Sequence, residues 1–133
     1  MARLPAPIRQ DTRDAALKAL LASLEQVRAR PEEFLVCSAC SHPVTTLGQR
    51  VEIEGAHLHR CFNPTGIGFD LACFQEAWGT STLGEATDYF SWFQGFAWQV
   101  VTCEECCDHL GWYYQAENHY FYGLIIQKLR SRR

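Results

Sequence analysis

Two pairs of cysteines share one spacing: Cys37 and Cys40 enclose two residues, and so do Cys103 and Cys106. Two intervening residues allow a tight turn to direct both sulfurs at a single metal ion, and two such turns complete a tetrahedral site. Four thiolates favour zinc, and a site closed by four protein ligands is structural because it leaves no position for water or substrate. The spacing therefore predicts one structural Zn²⁺ ion held by these four cysteines.

The chain contains seven cysteines, so other uses of them must be weighed. A redox-active pair of the thioredoxin type would require a βαβ context, which the pattern lacks. Cys107 and His109 crowd the second pair and are alternative ligands, although Cys106 keeps the matching spacing. Cys61 and Cys73 fall on predicted strands and are interpreted as small buried apolar side chains.

Aromatic side chains concentrate near the second cysteine pair. Residues 90–98 contain five of them, and Trp112 and Tyr114 follow the pair two positions apart. Residues two apart on a strand share one face, so these two rings would lie side by side. One interpretation is a hydrophobic core, because aromatic residues dominate the cores of small β domains. The other is a ring-lined binding site, and the pattern alone leaves both open.

Short strands would position these groups. From Phe34 onward, β-branched and aromatic runs alternate with Gly, Pro and Asn, a pattern typical of an antiparallel β domain. Residues 63–66 predict a type I turn, with proline second and glycine fourth. Residues 78–88 predict a loop. The predicted strands cover residues 51–54, 57–62, 67–74, 96–102, 110–114 and 119–124.

Before Pro31 the pattern is helical. Asp11 is a suitable N-cap, and the apolar residues that follow it at helical spacing are Ala15, Leu17, Leu20, Leu21, Leu24 and Val27. The sequence thus divides into a helical extension at residues 1–32 and a β domain at residues 33–133. The leucine face would dock on the chain's own β domain or on another subunit.

Composition narrows the classes of function. Twelve basic and fifteen acidic residues give a formal charge of −3, which provides no general attraction for nucleic acid or anionic lipid. No apolar run approaches the roughly 18 residues that span a bilayer, and residues 1–10 lack the apolar segment of a secretory signal. These features predict a cytoplasmic protein, in which metal binding is a better use of cysteine than disulfides.

The order of several motifs resembles the thalidomide-binding (CULT) domain of cereblon, here in a free-standing single-domain form. The similarity spans about residues 34–129 and excludes the segment before Pro31. It rests on the two cysteine pairs, on the aromatic run that ends at Trp98, and on the motifs Phe-Asn-Pro-Thr-Gly at 62–66, Phe-Ser-Trp-Phe at 90–93, His-Leu-Gly-Trp at 109–112 and Phe-Tyr-Gly-Leu-Ile at 121–125.

This resemblance implies an all-β fold, the β-tent, in which two antiparallel sheets are joined at the zinc site. It also implies an aromatic cage for glutarimide-like rings, walled by three tryptophans and closed by a tyrosine. Asn63 and Pro64 would lie on the loop that covers the ligand, and main-chain groups of Phe90 and Trp92 would pair with the imide. The implied ligand-binding set is Asn63, Pro64, Phe90, Ser91, Trp92, Trp98, Trp112 and Tyr114.

The expected function is recognition without catalysis, with three candidate ligands: a free cyclic imide, a cyclic imide at a protein C-terminus, or a uridine-like molecule. The adaptor-binding region and the Lon-like domain of full-length cereblon are not matched, so ligase function is not carried over and a ubiquitin-ligase adaptor is not an expected partner.

Two rival functions use the same features. A methionine-R-sulfoxide reductase shares the zinc knuckles, but its Arg-aromatic-Cys catalytic stretch has no counterpart after Cys107, and the segment around Cys61 resembles it only superficially. An aromatic-cage reader of quaternary ammonium groups would use cation–π attraction, with Asp88 or Glu85 as the nearby carboxylate.

Overall fold

The structure is a computed structural model that describes residues 33–132, together with Lys18. Within these residues the chain forms nine strands and two short 3₁₀ turns, the turns at Leu47–Gln49 and Ile126–Lys128. The strands are β1 Phe34–Cys37, β2 Pro43–Thr46, β3 Leu58–Phe62, β4 Gly68–Phe74, β5 Thr80–Thr87, β6 Ala97–Cys103, β7 His109–Gln115, β8 Tyr120–Ile125 and β9 Leu129–Ser131. Apart from Lys18, the helix predicted before Pro31 lies outside the described residues, and so does the division at residue 32.

The strands form two sheets. The small sheet has the order β2-β1-β9, and the large sheet has the order β3-β4-β8-β7-β6-β5. All neighbouring strands pair antiparallel. The prediction of an all-β fold with two antiparallel sheets is therefore confirmed. In the described part of the chain, no helix has the length and apolar character to cross a membrane.

The large sheet is buried on both faces at its centre. Along β4, Ala72 and Phe74 belong to a core shared with the small sheet, whereas Leu71 and Cys73 belong to a second core on the opposite face. Successive side chains of a strand point to opposite faces, so a strand buried on both sides has a continuous apolar sequence. The second core contains Trp92 and supports the aromatic residues described below.

Two predictions of local structure are wrong. Residues 51–54 do not form a strand; the N–H of Ile53 donates to the carbonyl of Ala56 at 2.8 Å, across a turn in which Glu54 and Gly55 both have positive φ. Residues 78–88 are not all loop, because they contain β5, which pairs with β6. Most of β5 is exposed. An exposed edge strand needs no apolar alternation, so its Thr, Ser and Gly residues resemble a loop in composition.

Candidate functional site

The two cysteine pairs lie in turns of the same construction, one between β1 and β2 and the other between β6 and β7. In each turn, the N–H of the first cysteine donates to the carbonyl five residues on, at 2.9 Å in one and 2.8 Å in the other. The residue four positions on donates its N–H back to the first cysteine's carbonyl. This fourth residue is Ser41 in one turn and Cys107 in the other, and both have φ 68°. Two equivalent knuckles are therefore present.

The four knuckle sulfurs converge on one point. All four lie within 4.8 Å of one another; the Sγ atoms of Cys37 and Cys106 are 3.7 Å apart, and those of Cys40 and Cys103 are 3.6 Å apart. A tetrahedron with Zn–S bonds of about 2.3 Å has sulfurs about 3.8 Å apart. The cluster thus has the donor set and dimensions of a site for one Zn²⁺ ion, as predicted.

The alternative ligands are not part of this cluster. Cys107 is exposed, and Nε2 of His109 lies 3.1 Å from the carbonyl oxygen of Gly111. Burial lowers the pKa of His109, partly offset by that hydrogen bond, and its ring packs edge-on against Trp112 at 4.8 Å. His109 therefore serves as a neutral support behind Trp112.

The metal site joins the two sheets, because the first knuckle belongs to the small sheet and the second to the large one. Across the joint, Nε2 of His42 lies 2.7 Å from a carboxylate oxygen of Glu104. Surface ion pairs contribute only about 0–1 kcal/mol, so the sulfur cluster is the stronger link between the sheets.

A cavity of about 220 Å³ opens on the face of the large sheet that carries the second core. Its lining residues are almost wholly apolar at their exposed surface; they are Asn63, Pro64, Tyr89, Phe90, Trp92, Trp98, Trp112 and Tyr114. The structure thus brings together seven of the eight residues that the sequence analysis names as ligand-binding. Ser91 is the exception, because it is fully buried beside the cavity.

Three different segments supply the cavity walls. Trp98 on β6 lies directly opposite Tyr114 on β7, and Trp112 is two residues before Tyr114 on the same strand. Trp92 comes from the loop between β5 and β6 and meets Trp112 edge-to-face, with ring centroids 4.9 Å apart and planes at 80°. Aromatic pairs favour this arrangement. The walls therefore support one another without a ligand.

Main-chain carbonyls hold two of the indoles in place. Nε1–H of Trp92 donates to the carbonyl of Phe62, and Nε1–H of Trp98 donates to the carbonyl of Tyr89, both at 2.8 Å. Tyr114 at the base of the cavity is 1% exposed, and its burial raises the pKa of the phenol well above its ordinary value. The walls therefore present apolar surface and no charge.

The polar groups of the lining residues are main-chain groups, the side-chain amide of Asn63 and the phenol hydroxyls of Tyr89 and Tyr114. Among residues 33–132, neither the carbonyl of Phe90 nor the N–H of Trp92 has a protein hydrogen-bond partner. The side-chain oxygen of Asn63 accepts three bonds within its turn, from the N–H and hydroxyl of Thr65 and the N–H of Ile67, at 2.8–3.0 Å. The Asn63 side-chain oxygen is therefore occupied, and the NH₂ group of the same amide is available to donate a hydrogen bond to a ligand.

Sequence reasoning missed one lining residue. Tyr89 is 66% exposed, lies at the cavity mouth and packs edge-on against Phe90 at 4.8 Å. The available signal was its position next to the Phe-Ser-Trp-Phe motif. The fourth tryptophan, Trp78, is not among the lining residues.

Comparisons with known proteins identify the family. No family model matches the chain. Protein cereblon from Xenopus tropicalis is 32% identical over 122 residues, covering 83% of this chain and 27% of that protein. Protein cereblon from Danio rerio is 32% identical over 86 residues, covering 62% of this chain and 20% of that protein. Protein cereblon from Drosophila willistoni is 46% identical over 52 residues, covering 35% of this chain and 8% of that protein. The chain carries a cereblon-like domain.

The resemblance of the motifs to a domain of cereblon is thereby confirmed. This chain spans about a quarter of the length of the Xenopus tropicalis relative and a fifth of the Danio rerio one. The matched part is therefore a domain of those proteins, and the cereblon-like domain combines a four-cysteine cluster with an aromatic cavity.

Proposed function

We propose that the cereblon-like domain binds cyclic imides of the glutarimide type in its aromatic cavity. One observation carries this proposal: three tryptophan walls adjoin a main-chain carbonyl at Phe90 and a main-chain N–H at Trp92 that lack partners among the described residues. A cyclic imide presents an acceptor–donor–acceptor edge on a small and otherwise aliphatic ring. The two main-chain groups complement that edge, and the flat indole faces complement the ring.

The dimensions favour a small ring. A cavity of about 220 Å³ is smaller than the roughly 300–1,000 Å³ of sites for drug-sized ligands. The fixed indoles mean that little side-chain entropy is lost on binding, which supports affinity for so small a molecule.

Charge disfavours the quaternary ammonium alternative. None of the residues lining the cavity in the described part of the chain is acidic. Asp88 instead lines a neighbouring groove with Gln94 and Gln115, and Glu85 is exposed on β5. A neutral ligand suits these surroundings better than a cation.

Recognition without catalysis is part of the same proposal. Cys61, the thiol that superficially resembles a reductase nucleophile, is 3% exposed. A reactive cysteine requires an accessible, stabilised thiolate, whereas apolar burial favours an inert thiol. A four-thiolate zinc site also suits a reducing compartment, so we place the domain in the cytoplasm.

The test is a titration followed by calorimetry and tryptophan fluorescence. Glutarimide, N-methylglutarimide, uridine and a trimethyl-lysine peptide are added in turn to the zinc-loaded protein. We expect saturable binding of glutarimide. N-methylglutarimide should bind at least about tenfold more weakly than glutarimide, because it cannot donate a hydrogen bond to the Phe90 carbonyl. Binding of the trimethyl-lysine peptide with no binding of glutarimide would overturn the proposal. A glutarimide-capped peptide then distinguishes a protein-borne imide from a free one.

A further inference from the structure

Ser91 is buried behind the cavity and is hydrogen-bonded entirely within its own loop. It is 0% exposed. Its hydroxyl donates to the carbonyl of Phe93 at 2.9 Å and accepts the N–H of Phe93 at 3.3 Å. Its own N–H donates back to the carbonyl of Asp88 at 3.2 Å. The residue therefore ties together the segments before and after it.

The loop needs such a tie, because Phe90 has φ 51°. The left-handed region is unfavourable for a residue with a bulky side chain and persists only where the surroundings enforce it. The turn closed by the Ser91 N–H contains Phe90 between Asp88 and Ser91. The Ser91 hydroxyl then fixes the following residues on the other side of Trp92.

We propose that Ser91 is a positioning residue that fixes the Phe90 carbonyl and the Trp92 N–H as a rigid acceptor–donor pair. Both groups are the immediate main-chain neighbours of Ser91. The hydroxyl has its hydrogen and an acceptor site engaged with Phe93, so it acts on the ligand through the main chain and not by contact. This inference rests on the proposed imide binding and assigns Ser91 a different role from the ligand contact implied by the family resemblance.

The experiment compares two probes that differ in one hydrogen-bond donor. Glutarimide and N-methylglutarimide are titrated against the wild-type chain and against Ser91→Ala, with zinc content and the thermal midpoint measured on each sample. In the variant, we expect the preference for glutarimide over N-methylglutarimide to fall from about tenfold towards twofold. General loosening of the cage would weaken both probes equally and leave this ratio unchanged.

Two further variants keep the result interpretable. Ser81→Ala makes the same substitution at an exposed position on β5 and should preserve the wild-type ratio. Ser91→Cys keeps a single γ atom with a weak S–H donor, so it should give an intermediate ratio even if Ser91→Ala does not fold.

The possible outcomes separate the two proposals. If the wild-type chain binds neither imide, the proposed function fails, and this inference fails with it. If the wild type shows the preference and a folded Ser91→Ala or Ser91→Cys protein retains it within twofold, only the positioning role is overturned. An amide-exchange measurement adds a readout without ligand: the Phe93 amide should exchange faster in Ser91→Ala while the β4 and β8 amides stay protected.

Discussion

Trp92 and Trp98 differ from the phenylalanines beside them in having a polar anchor. Each indole N–H donates to a main-chain carbonyl, that of Phe62 at the end of β3 for Trp92 and that of Tyr89 in the loop after β5 for Trp98. A phenylalanine would keep part of the apolar face but would lose this bond, and the ring would be free to turn. Tryptophan therefore combines a large flat wall with a fixed orientation.

Removal of one wall should affect binding more than folding. Trp98 is half-buried, so Trp98→Ala should lower the unfolding free energy by about 1–2 kcal/mol. It should also weaken glutarimide binding by at least about tenfold, because water would reach the imide hydrogen bonds. Calorimetry and denaturant unfolding measure the two effects. Trp78→Ala, at a 55% exposed tryptophan that does not line the cavity, is the matched control and should retain wild-type affinity.

The sequence predicts residues well where function follows from local spacing. The Cys-x-x-Cys pairs determine their own turn, so all four metal ligands were predictable. Tyr89 was missed, and the family resemblance places Ser91 among the ligand contacts, whereas we propose that it acts through the main chain. Both depend on the path of the 88–93 loop, including the positive φ of Phe90, and no periodicity in the sequence encodes that path.

At the scale of elements, burial decides which strands were predictable. β4, β6, β7 and β8 lie inside the large sheet and have the apolar and aromatic runs that the pattern requires. β5 is an exposed edge strand, and the strands of the small sheet have only three or four residues each. Such short segments contain too few positions for alternation to show, and their pairing depends on distant parts of the chain.

The contact between β7 and β8 depends on a glycine. A Cβ atom at Gly111 would lie 2.1 Å from the carbonyl oxygen of Gly123 and 2.9 Å from Cα of Leu124. Both are main-chain atoms of β8, so only a shift of the strand could relieve the overlap. Gly111→Ala should therefore lower the unfolding free energy by about 3 kcal/mol and displace Trp112, the next residue.

Gly55→Ala provides the control for that experiment. Both glycines have positive φ, 155° at Gly111 and 85° at Gly55, but a Cβ at Gly55 would meet no atom within 4 Å. Its substitution should cost about 1–2 kcal/mol from backbone conformation alone, with unchanged glutarimide affinity. Urea unfolding measures the loss of unfolding free energy in both variants. Equal losses would show that the close approach of β7 and β8 at Gly111 adds nothing to the cost of the substitution.

At the scale of the whole molecule, strands β6 and β7 connect the metal site to the cavity. The second knuckle connects these strands directly, and the same strands carry Trp98 and Trp112 further along. The metal site therefore fixes one end of the hairpin whose other end forms the cavity. Loss of zinc should open the joint between the sheets and then disturb the cavity walls.

Neighbouring cysteines allow this dependence to be tested with a closely matched pair. Cys106 belongs to the four-sulfur cluster, whereas Cys107 is exposed and lies outside it. Cys106→Ser should reduce bound zinc well below one ion per chain and lower the thermal midpoint by at least about 10 °C. Glutarimide binding should weaken in parallel. Cys107→Ser should match the wild type in metal content, thermal midpoint and affinity.

Acidification should reproduce the effect of Cys106→Ser in the wild-type protein. Zinc binds thiolates, so protons compete with the metal, and the stability that zinc contributes is present at neutral pH and lost as the pH falls. Metal release, followed with a chromogenic chelator, should therefore coincide with loss of glutarimide binding across an acid titration. If glutarimide binding persisted after the metal had left, the aromatic contacts alone would hold the cavity in shape. The prediction that metal loss disturbs the cavity through the β6–β7 hairpin would then be wrong.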